Sequence, residues 1–233
     1  NDWSGRSVSL SSDGGIVAIG ANLNDGVNGV HSGHVRVYEW NGSSWVQRGG
    51  DIDGMETGDR SGFSVSLSSN GNIVAIGARY NDGVNGTDSG HVRVYEWSGS
   101  SWVQRGADID GEAAYDESGY SVALSNDGSI VAIGARNNDG VNGENSGHVR
   151  VYEWNGTIWV QRGTIIDGKK VGDQSGHSVA LSNDGSIVAI GAIYNDDYGV
   201  NSGHVRVYKY EKRVNTRYAK NTRRFEYYIN DIL

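Results

Sequence analysis

Hydrophobic and polar residues alternate along short segments of this chain, and turns rich in glycine, asparagine and aspartate separate the segments. Within residues 120–125, valine and leucine fall on one face while serine and alanine fall on the other, which predicts a short strand, strand A. Residues 130–133 are apolar on both faces and predict strand B, a strand covered on both sides. The repeated units show no helical periodicity, so the pattern predicts an all-β protein.

Two more strands complete the pattern. Residues 148–154 alternate valine with arginine, tyrosine and tryptophan and predict strand C, and the Trp-Val-Gln-Arg that follows predicts strand D. A two-residue Asn-Gly turn between them would place Tyr152 opposite Trp159 and Val151 opposite Val160. Aromatic would then face aromatic and aliphatic would face aliphatic, the pairing that sets strand register.

The four-strand pattern is written almost four times with a period of 57 residues, and the fourth copy has lost one loop residue. The string SGHVRVY begins at Ser32, Ser89, Ser146 and Ser202. A period of this length with hairpin-connected strands predicts a β-propeller in which each unit is one four-stranded antiparallel blade. A β-solenoid is the competing interpretation, but its coils are usually shorter and lack four such strands.

The repeat also predicts the domain organisation. The expected boundaries are 1–212 for the propeller repeats, with blades at about 4–60, 61–117, 118–174 and 175–212, and 213–233 for a basic C-terminal tail. The fourth unit lacks its strand D, and residues 224–230 have the composition to replace it. Either the four blades close as a small ring, or they form an arc of a larger one. An arc would leave two blade faces uncovered and would favour self-association.

Composition excludes several classes of function. The 233 residues include 36 glycines but neither proline nor cysteine, so disulfides, thiolate metal sites and cysteine nucleophiles are excluded. The net charge of −8 argues against a nucleic-acid partner. Since no apolar stretch approaches the roughly 18 residues of a membrane helix, we expect no membrane insertion.

The order SGYSVALS, tight turn, IVAIGA, polar loop, GHVRVYEW and WVQRG resembles the FG-GAP repeat family, whose repeats build the propeller heads of integrin α-subunits and many surface proteins. The resemblance covers residues 1 to about 210. Ser61-Gly62 stands where the family has Phe-Gly, and Arg79 stands where it has the proline of Gly-Ala-Pro. The resemblance implies a propeller that works in binding or adhesion outside the cell or on its surface.

Calcium is the candidate cofactor, although the position differs from that in integrins. There the calcium loop joins the first two strands of a repeat, and here that connection is only an Asp-Gly or Asn-Gly turn. A second loop offers alternating carboxylates, which suit calcium. The candidate ligands are Asp51, Asp53, Asp59, Asp108, Asp110 and Asp116. The alternative is an Asp-Gly turn that only links strand D to the next blade.

The loops between strands B and C are the candidate ligand-binding surface. Symmetry places them on one rim of the propeller, and loops on a rigid scaffold often carry function. The candidate residues are Asn24, Asp25, Asn28, Asn81, Asp82, Asn85, Asn138, Asp139 and Asn142. The alternative is structural, since asparagine, aspartate and glycine are also the residues of any long turn.

The repeated histidines His34, His91, His148 and His204 do not predict a shared metal site. They hold the same position in successive blades, and a zinc site needs ligands about 2 Å from one ion. We predict that each forms a local hydrogen bond at the end of its strand.

The tryptophan pairs are Trp40 with Trp45, Trp97 with Trp102, and Trp154 with Trp159. They could stack on sugar rings, but cross-strand packing accounts for them more simply.

No catalytic motif is present: there is no Gly-x-Ser-x-Gly elbow, phosphate loop or His-Glu-x-x-His. The residues noted as breaking the repeat, His31, His177, Lys169 and Lys170, form no evident set. We therefore expect a non-enzymatic binding or adhesion module that recognises a protein or a glycan through its rim loops. The alternatives are a calcium-dependent carbohydrate-binding propeller and, third, a propeller enzyme.

Overall fold

Short antiparallel strands account for the regular structure in the computed structural model, which describes residues 1–215 and 224–231, with side chains described for residues 1–210. The strands of blade 1 are β1 (Ser4–Leu10), β2 (Ile16–Ala21), β3 (His34–Trp40), β4 (Trp45–Gln47) and β5 (Ile52–Asp53). Those of blade 2 are β6 (Ser64–Leu67), β7 (Ile73–Ala78), β8 (His91–Trp97), β9 (Trp102–Gln104) and β10 (Ile109–Asp110). No helix in these ranges is long and apolar enough to cross a membrane.

Blades 3 and 4 repeat the arrangement. The strands of blade 3 are β11 (Ser121–Leu124), β12 (Ile130–Ala135), β13 (His148–Trp154), β14 (Trp159–Gln161) and β15 (Ile166–Asp167). Those of blade 4 are β16 (Ser175–Leu181), β17 (Ile187–Ala192), β18 (His204–Asn215) and β19 (Arg224–Asp231). In blade 4 the edge strand β19 pairs with β18. It takes the place that β4, β9 and β14 hold beside β3, β8 and β13 in the other three blades. Of the predicted tail, residues 216–223 and 232–233 lie outside the described residues.

The all-β fold of repeated four-stranded sheets confirms the predicted propeller class. Each of the first three sheets also has a fifth strand, which the sequence pattern did not predict. An Asp-Gly turn is the alternative that the sequence predicts for Asp51 to Gly54, but Ile52 and Asp53 form β5 and pair with Val35 and His34 of β3. This segment therefore lies beside the start of strand C, and that position brings its carboxylates next to a histidine.

The predicted register between strands C and D is wrong. Trp154 pairs with Trp159, and Tyr152 pairs with Gln161 rather than with Trp159. The loop has four residues because the side-chain oxygen of Asn155 accepts hydrogen bonds from the backbone N–H groups of Thr157 and Ile158. An asparagine that caps its own turn in this way favours a longer loop than an Asn-Gly pair alone suggests.

Apolar faces of neighbouring blades pack against each other to form the core. Between blades 1 and 2, Val35 and Val37 of one sheet share a buried cluster with Val74 and Ile76 of the next. Equivalent clusters join blade 2 to blade 3 and blade 3 to blade 4. Strands β1, β6, β11 and β16 contact one another in succession and line the inner side of the propeller.

Glycine allows the inner strands to approach closely. A Cβ atom on Gly77 would lie 2.1 Å from the carbonyl oxygen of Gly119 in the next blade, and one on Gly134 would lie 2.1 Å from that of Gly176. The hydroxyl of Ser64 donates a hydrogen bond to the same Gly119 carbonyl at 2.7 Å. The glycine in IVAIGA is therefore needed for contact between blades.

The outer faces of the first and last blades are exposed. Val205 of blade 4 is 55% exposed, whereas the equivalent Val92 and Val149 are fully buried. On blade 1, Val17, Ile19 and other residues line an open groove of about 350 Å³. The described residues thus fit the predicted arc with two uncovered faces.

Candidate functional site

Most of the residues that the sequence singles out for function lie on one rim of the propeller. Strand A begins there, strand B ends there and strand C begins there, so the B–C loops and the linkers between blades share it. We call this surface the upper rim. It consists of the B–C loops 22–33, 79–90, 136–147 and 193–203 and the linkers 54–63, 111–120 and 168–174.

The predicted asparagine and aspartate side chains hold the B–C loops in shape. The Asp25 carboxylate accepts a hydrogen bond from the backbone N–H of His31 at 2.9 Å, and the Asn28 amide donates to the Gly54 carbonyl at 2.7 Å. Asn24 contributes its backbone carbonyl, which accepts from Gly33 N–H at 3.0 Å. The same side-chain roles recur for Asp82, Asn85, Asp139 and Asn142. Most of these residues are thus committed to the loop itself.

The third Asp of the predicted metal loop anchors the linker. Asp59 accepts hydrogen bonds from the backbone N–H groups of Met55 and Glu56 and from the Asn81 amide. Asp116 does the same with Ala113 N–H and the Asn138 amide, and burial raises the pKa of its carboxyl. Asp59 and Asp116 lie outside the two groups of metal-ligand type that include the other four predicted aspartates.

The other four predicted aspartates, Asp51, Asp53, Asp108 and Asp110, lie beside two of the repeated histidines, a grouping that the sequence did not predict. His34, Asp51 and Asp53 form one group, and His91, Asp108 and Asp110 form the other; within each group the ligand atoms lie within 4.8 Å of one another. The pairing of β3 with β5 and of β8 with β10 sets each histidine opposite the second aspartate. The sequence pattern missed this grouping because it treated the aspartates as part of a loop.

The histidines do not make the local hydrogen bonds that the sequence predicted. The Nε2 atoms of His91, His148 and His204 are buried without a hydrogen-bond partner among the described residues. On the other ring nitrogen, His91 Nδ1 lies 3.7 Å from Asp108 Oδ2, beyond hydrogen-bond distance. Burial lowers the pKa of His91 to about 4, so its imidazole is neutral at neutral pH.

The tips of the B–C loops carry exposed valines that sequence reasoning missed. Val27, Val84 and Val141 are 86–87% exposed, and Val200 on the fourth loop is exposed to a similar extent beside Tyr198. The sequence held one sign of this: valine is the only apolar residue in the repeated loop Asn-Asp-Gly-Val-Asn-Gly. The polar side chains of that loop form hydrogen bonds that hold its shape. The loop presents this valine to solvent in every blade.

A second set of residues breaks the repeat where strand A begins. The position after the repeated Ser-Gly holds Arg6, Phe63, Tyr120 and His177 in successive blades. The Arg6 guanidinium lies 4.0 Å from the Phe63 ring centroid. Phe63 and Tyr120 are 5.0 Å apart, as are Tyr120 and His177. One continuous stack therefore runs across all four blades.

Charged residues flank this stack. Arg79 packs over Phe63 at 4.1 Å, and Arg136 packs over Tyr120 at 4.0 Å. Both guanidinium groups pair with the buried carboxylate of Glu117, at 2.9 Å for Arg79 and 3.3 Å for Arg136. Burial lowers the pKa of Arg79. We call Arg6, Phe63, Arg79, Glu117, Tyr120, Arg136 and His177 the axial cluster. Of the symmetry-breaking residues considered from the sequence, only His177 belongs to it, whereas Lys170 pairs with Asp197.

The tryptophan pairs pack as the simpler interpretation predicted. Trp97 and Trp102 lie 5.3 Å apart, and Arg48 of the preceding blade stacks over Trp97 at 4.8 Å. The Trp102 indole donates a hydrogen bond to the Arg48 carbonyl at 2.7 Å. These aromatics join neighbouring blades.

A sequence model of the FG-GAP repeat matches residues 53–95, 108–152 and 159–208. No curated protein sequence matches the chain.

Several solved structures share the fold. A Bacteroides uniformis protein provisionally assigned as a 6-phosphogluconolactonase has a TM-score of 0.58 at 14% identity, covering 97% of this chain and 54% of its own. The periplasmic gluconolactonase of Pseudomonas aeruginosa gives 0.57 at 14%, with 97% and 57% covered. The β-propeller domain of the Trilobed protease from Pyrococcus furiosus, which has an open velcro topology, gives 0.52 at 10%, with 97% and 56% covered. At these identities the likeness concerns the fold alone, and the chain spans just over half the length of each structure.

Proposed function

Because the chain belongs to the FG-GAP repeat family, we propose that it is a non-enzymatic binding module that recognises a protein through its upper rim. The FG-GAP propeller supports a binding module in general terms. The observation that carries the finer proposal is the row of valines at the tips of the B–C loops, one per blade in the first three blades and nearly fully exposed. Apolar side chains repeated on one exposed surface favour a partner that removes them from water.

The aromatic residues of the same rim favour a protein partner over a glycan. Tyr115 and Tyr198 are exposed there, and protein interfaces are enriched in tyrosine. Two of the tryptophan pairs that suggested sugar stacking, Trp97–Trp102 and Trp154–Trp159, instead pack against an arginine of the preceding blade, whereas Trp40 and Trp45 are about half exposed. On the ground of the family resemblance alone, we extend the proposal to adhesion outside the cell or at its surface.

The proposal is tested with a variant that removes the row of valines. Val27→Ser, Val84→Ser and Val141→Ser are combined, and the fold should tolerate them since exposed positions change stability by about 0.5 kcal/mol or less. Ile158→Ser is the matched control, because Ile158 is 53% exposed on the opposite rim. Peptides selected from a displayed random library on the wild-type protein are then titrated against all three proteins.

We expect most of the selected peptides to bind the triple variant at least tenfold more weakly and the Ile158→Ser control with unchanged affinity. Peptides that bind all three proteins equally would contradict the role of the valines. A glycan array probed with and without calcium is the second arm. A sugar signal that a chelator abolishes would instead support the carbohydrate-binding alternative and overturn the protein-binding proposal.

A further inference from the structure

The imidazole of His91 is an unexplained buried polar group. Its side chain is 1% exposed, its Nε2 atom has no partner in the described part of the chain, and its Nδ1 atom points toward carboxylates without bonding to them. Buried polar atoms almost always have a hydrogen-bond partner, so an exception calls for a physical cause. The Nε2 atoms of His148 and His204 are unpartnered too, so this atom by itself does not indicate an ion. Nδ1 is the nitrogen that faces the Asp108 carboxylate, at 3.7 Å and without a hydrogen bond, and it is the atom that could bind a cation.

The three side chains around this position have the arrangement of metal ligands. The ligand atoms of His91, Asp108 and Asp110 lie within 4.8 Å of one another, and His91 Nδ1 is 3.7 Å from Asp108 Oδ2. Ligands about 2.0–2.2 Å from a zinc ion are roughly 3–4 Å apart, so a small side-chain adjustment would close the site. The Gln104 amide donates to the other Asp108 oxygen at 2.6 Å and orients that carboxylate.

We propose that His91, Asp108 and Asp110 form a binding site for a divalent first-row transition cation such as Zn²⁺. One imidazole nitrogen with carboxylate oxygens suits zinc and its neighbours, whereas calcium takes six to eight oxygen ligands. Asp108 is about one quarter exposed, so an ion can enter from solvent. The site lies at the start of strand C and goes beyond the proposed protein recognition, on which it does not depend.

The other blades provide internal comparisons. In blade 1, the Arg36 guanidinium bonds to both carboxylate oxygens of Asp51 at 2.8–3.1 Å and lowers the pKa of that carboxyl, so the arginine competes with a cation. In blade 2, the equivalent Arg93 reaches the preceding blade and donates to the Asp53 carbonyl at 2.7 Å. Arg36 lies on the outer face of blade 1 and turns to its own blade. Blade 2 therefore offers the stronger site.

Blade 3 supplies a natural control. The position equivalent to Asp108 is Ile165, although His148 and Asp167 are retained and pair across β13 and β15. The structure shows no third group of this kind among the described residues. The Glu112 carboxylate approaches His148 Nδ1 at 3.7 Å instead, but His148, Glu112 and Asp167 do not form a group whose ligand atoms lie within 4.8 Å of one another. Blade 3 therefore lacks the ligand spacing of blade 2.

Isothermal titration of zinc chloride into the metal-free full chain tests the proposal. We expect one tight zinc ion per chain and a second, weaker ion from blade 1. Asp108→Asn and His91→Gln should each weaken the tight site by about 100-fold or more, whereas His148→Gln should leave it unchanged. Ile165→Asp should add a further site in blade 3.

Cobalt provides a readout that does not depend on heat. Co²⁺ should give a visible absorption spectrum of low-coordinate cobalt with the wild-type protein that disappears in Asp108→Asn, a variant at a partly exposed position whose folding is checked by circular dichroism. Absence of zinc binding, or equal binding by wild type and folded Asp108→Asn, would overturn the proposal. Calcium displacing zinc at equal concentration would also overturn it, since that result requires a site made of oxygens alone.

Discussion

The same six residues, IVAIGA, form strand B in all four blades, yet their surroundings differ between inner and outer blades. In blades 2 and 3 every residue of β7 and β12 is buried. In blade 1 the side chains of Val17 and Ile19 are only half-buried. In blade 4 the half-buried side chains are those of Ile187 and Ala189, which lie on the opposite face of the strand. Identical local sequence therefore gives identical strands but not identical cores, because a neighbouring blade supplies half of each core.

The two exposed faces are complementary. The open face of blade 1 is equivalent to the face of blade 2 that packs on blade 1, and the open face of blade 4 is equivalent to the opposite side of each internal interface. Equal substitutions at equivalent positions should therefore have unequal effects on stability.

The largest difference is expected for isoleucine. Ile76→Ala removes a side chain that is 1% exposed and should lower the free energy of unfolding by about 2–5 kcal/mol. Ile19→Ala, at the equivalent position of blade 1, should cost clearly less because Ile19 faces an open groove. Urea unfolding of both variants measures the difference, and equal losses would show that blade 1 is covered in solution.

The next difference concerns pH. Burial, with Arg150 nearby, lowers the pKa of His148 to about 3, with Glu112 3.7 Å from its Nδ1 atom and Asp167 opposite on β15. The imidazole of the unfolded chain takes up a proton near pH 6.5, whereas the buried imidazole of the folded chain stays neutral. The free energy of unfolding is therefore highest above pH 6.5 and falls as the pH is lowered, because protonation favours the unfolded chain. The contribution is up to about 3 kcal/mol between pH 6.5 and 4.

His148→Gln should therefore flatten the dependence of unfolding free energy on pH over that range. His204→Gln in blade 4 should flatten it less, because burial is the main cause of the lowered pKa and His204 is less buried than His148. Denaturant titrations at several pH values provide the slopes. A steeper slope in either variant would contradict the sign of the effect.

Glycine in strand B gives the third test. Gly134→Ala would push a methyl group against the Gly176 carbonyl and should cost about 1–3 kcal/mol. Gly191→Ala in blade 4 meets only the flexible hydroxyl of Ser178 and should cost less. Thermal unfolding of the pair measures the difference; the same melting temperature in both would mean that no carbonyl of a neighbouring blade restricts Gly134.

The smallest difference is expected for tryptophan. Trp102→Phe removes the hydrogen bond to the Arg48 carbonyl and should cost about 0.5–1.5 kcal/mol. Trp45→Phe in blade 1 should change stability by less, since no such bond from its indole is found among the described residues and the side chain is about half exposed. Equal costs, measured by urea unfolding, would assign the effect to the Trp pair itself rather than to the contact between blades.

Much of the fold, but only part of the candidate site, could be predicted from sequence. Alternation within 120–125 and the apolar run 130–133 predicted β11 and β12 because strand periodicity is a local property. The C–D register failed because one side chain, Asn155, caps a longer turn than the Asn-Gly pair suggests. The candidate asparagines were placed correctly on a rim loop, but their bonds turn inward, which spacing alone does not indicate.

The chain by itself determined the 57-residue unit, its strands and its turns, since these depend on neighbours a few residues away. Only the tertiary structure decided that β7 and β12, and not β2 and β17, are buried on both faces. The residues that cover each strand belong to a neighbouring blade, about one repeat away in the sequence. The tertiary structure also brought Asp110 opposite His91 through strand pairing and joined Phe63, Tyr120 and His177 into one stack. Such contacts depend on distances between blades, and a repeat written along the chain carries no direct record of them.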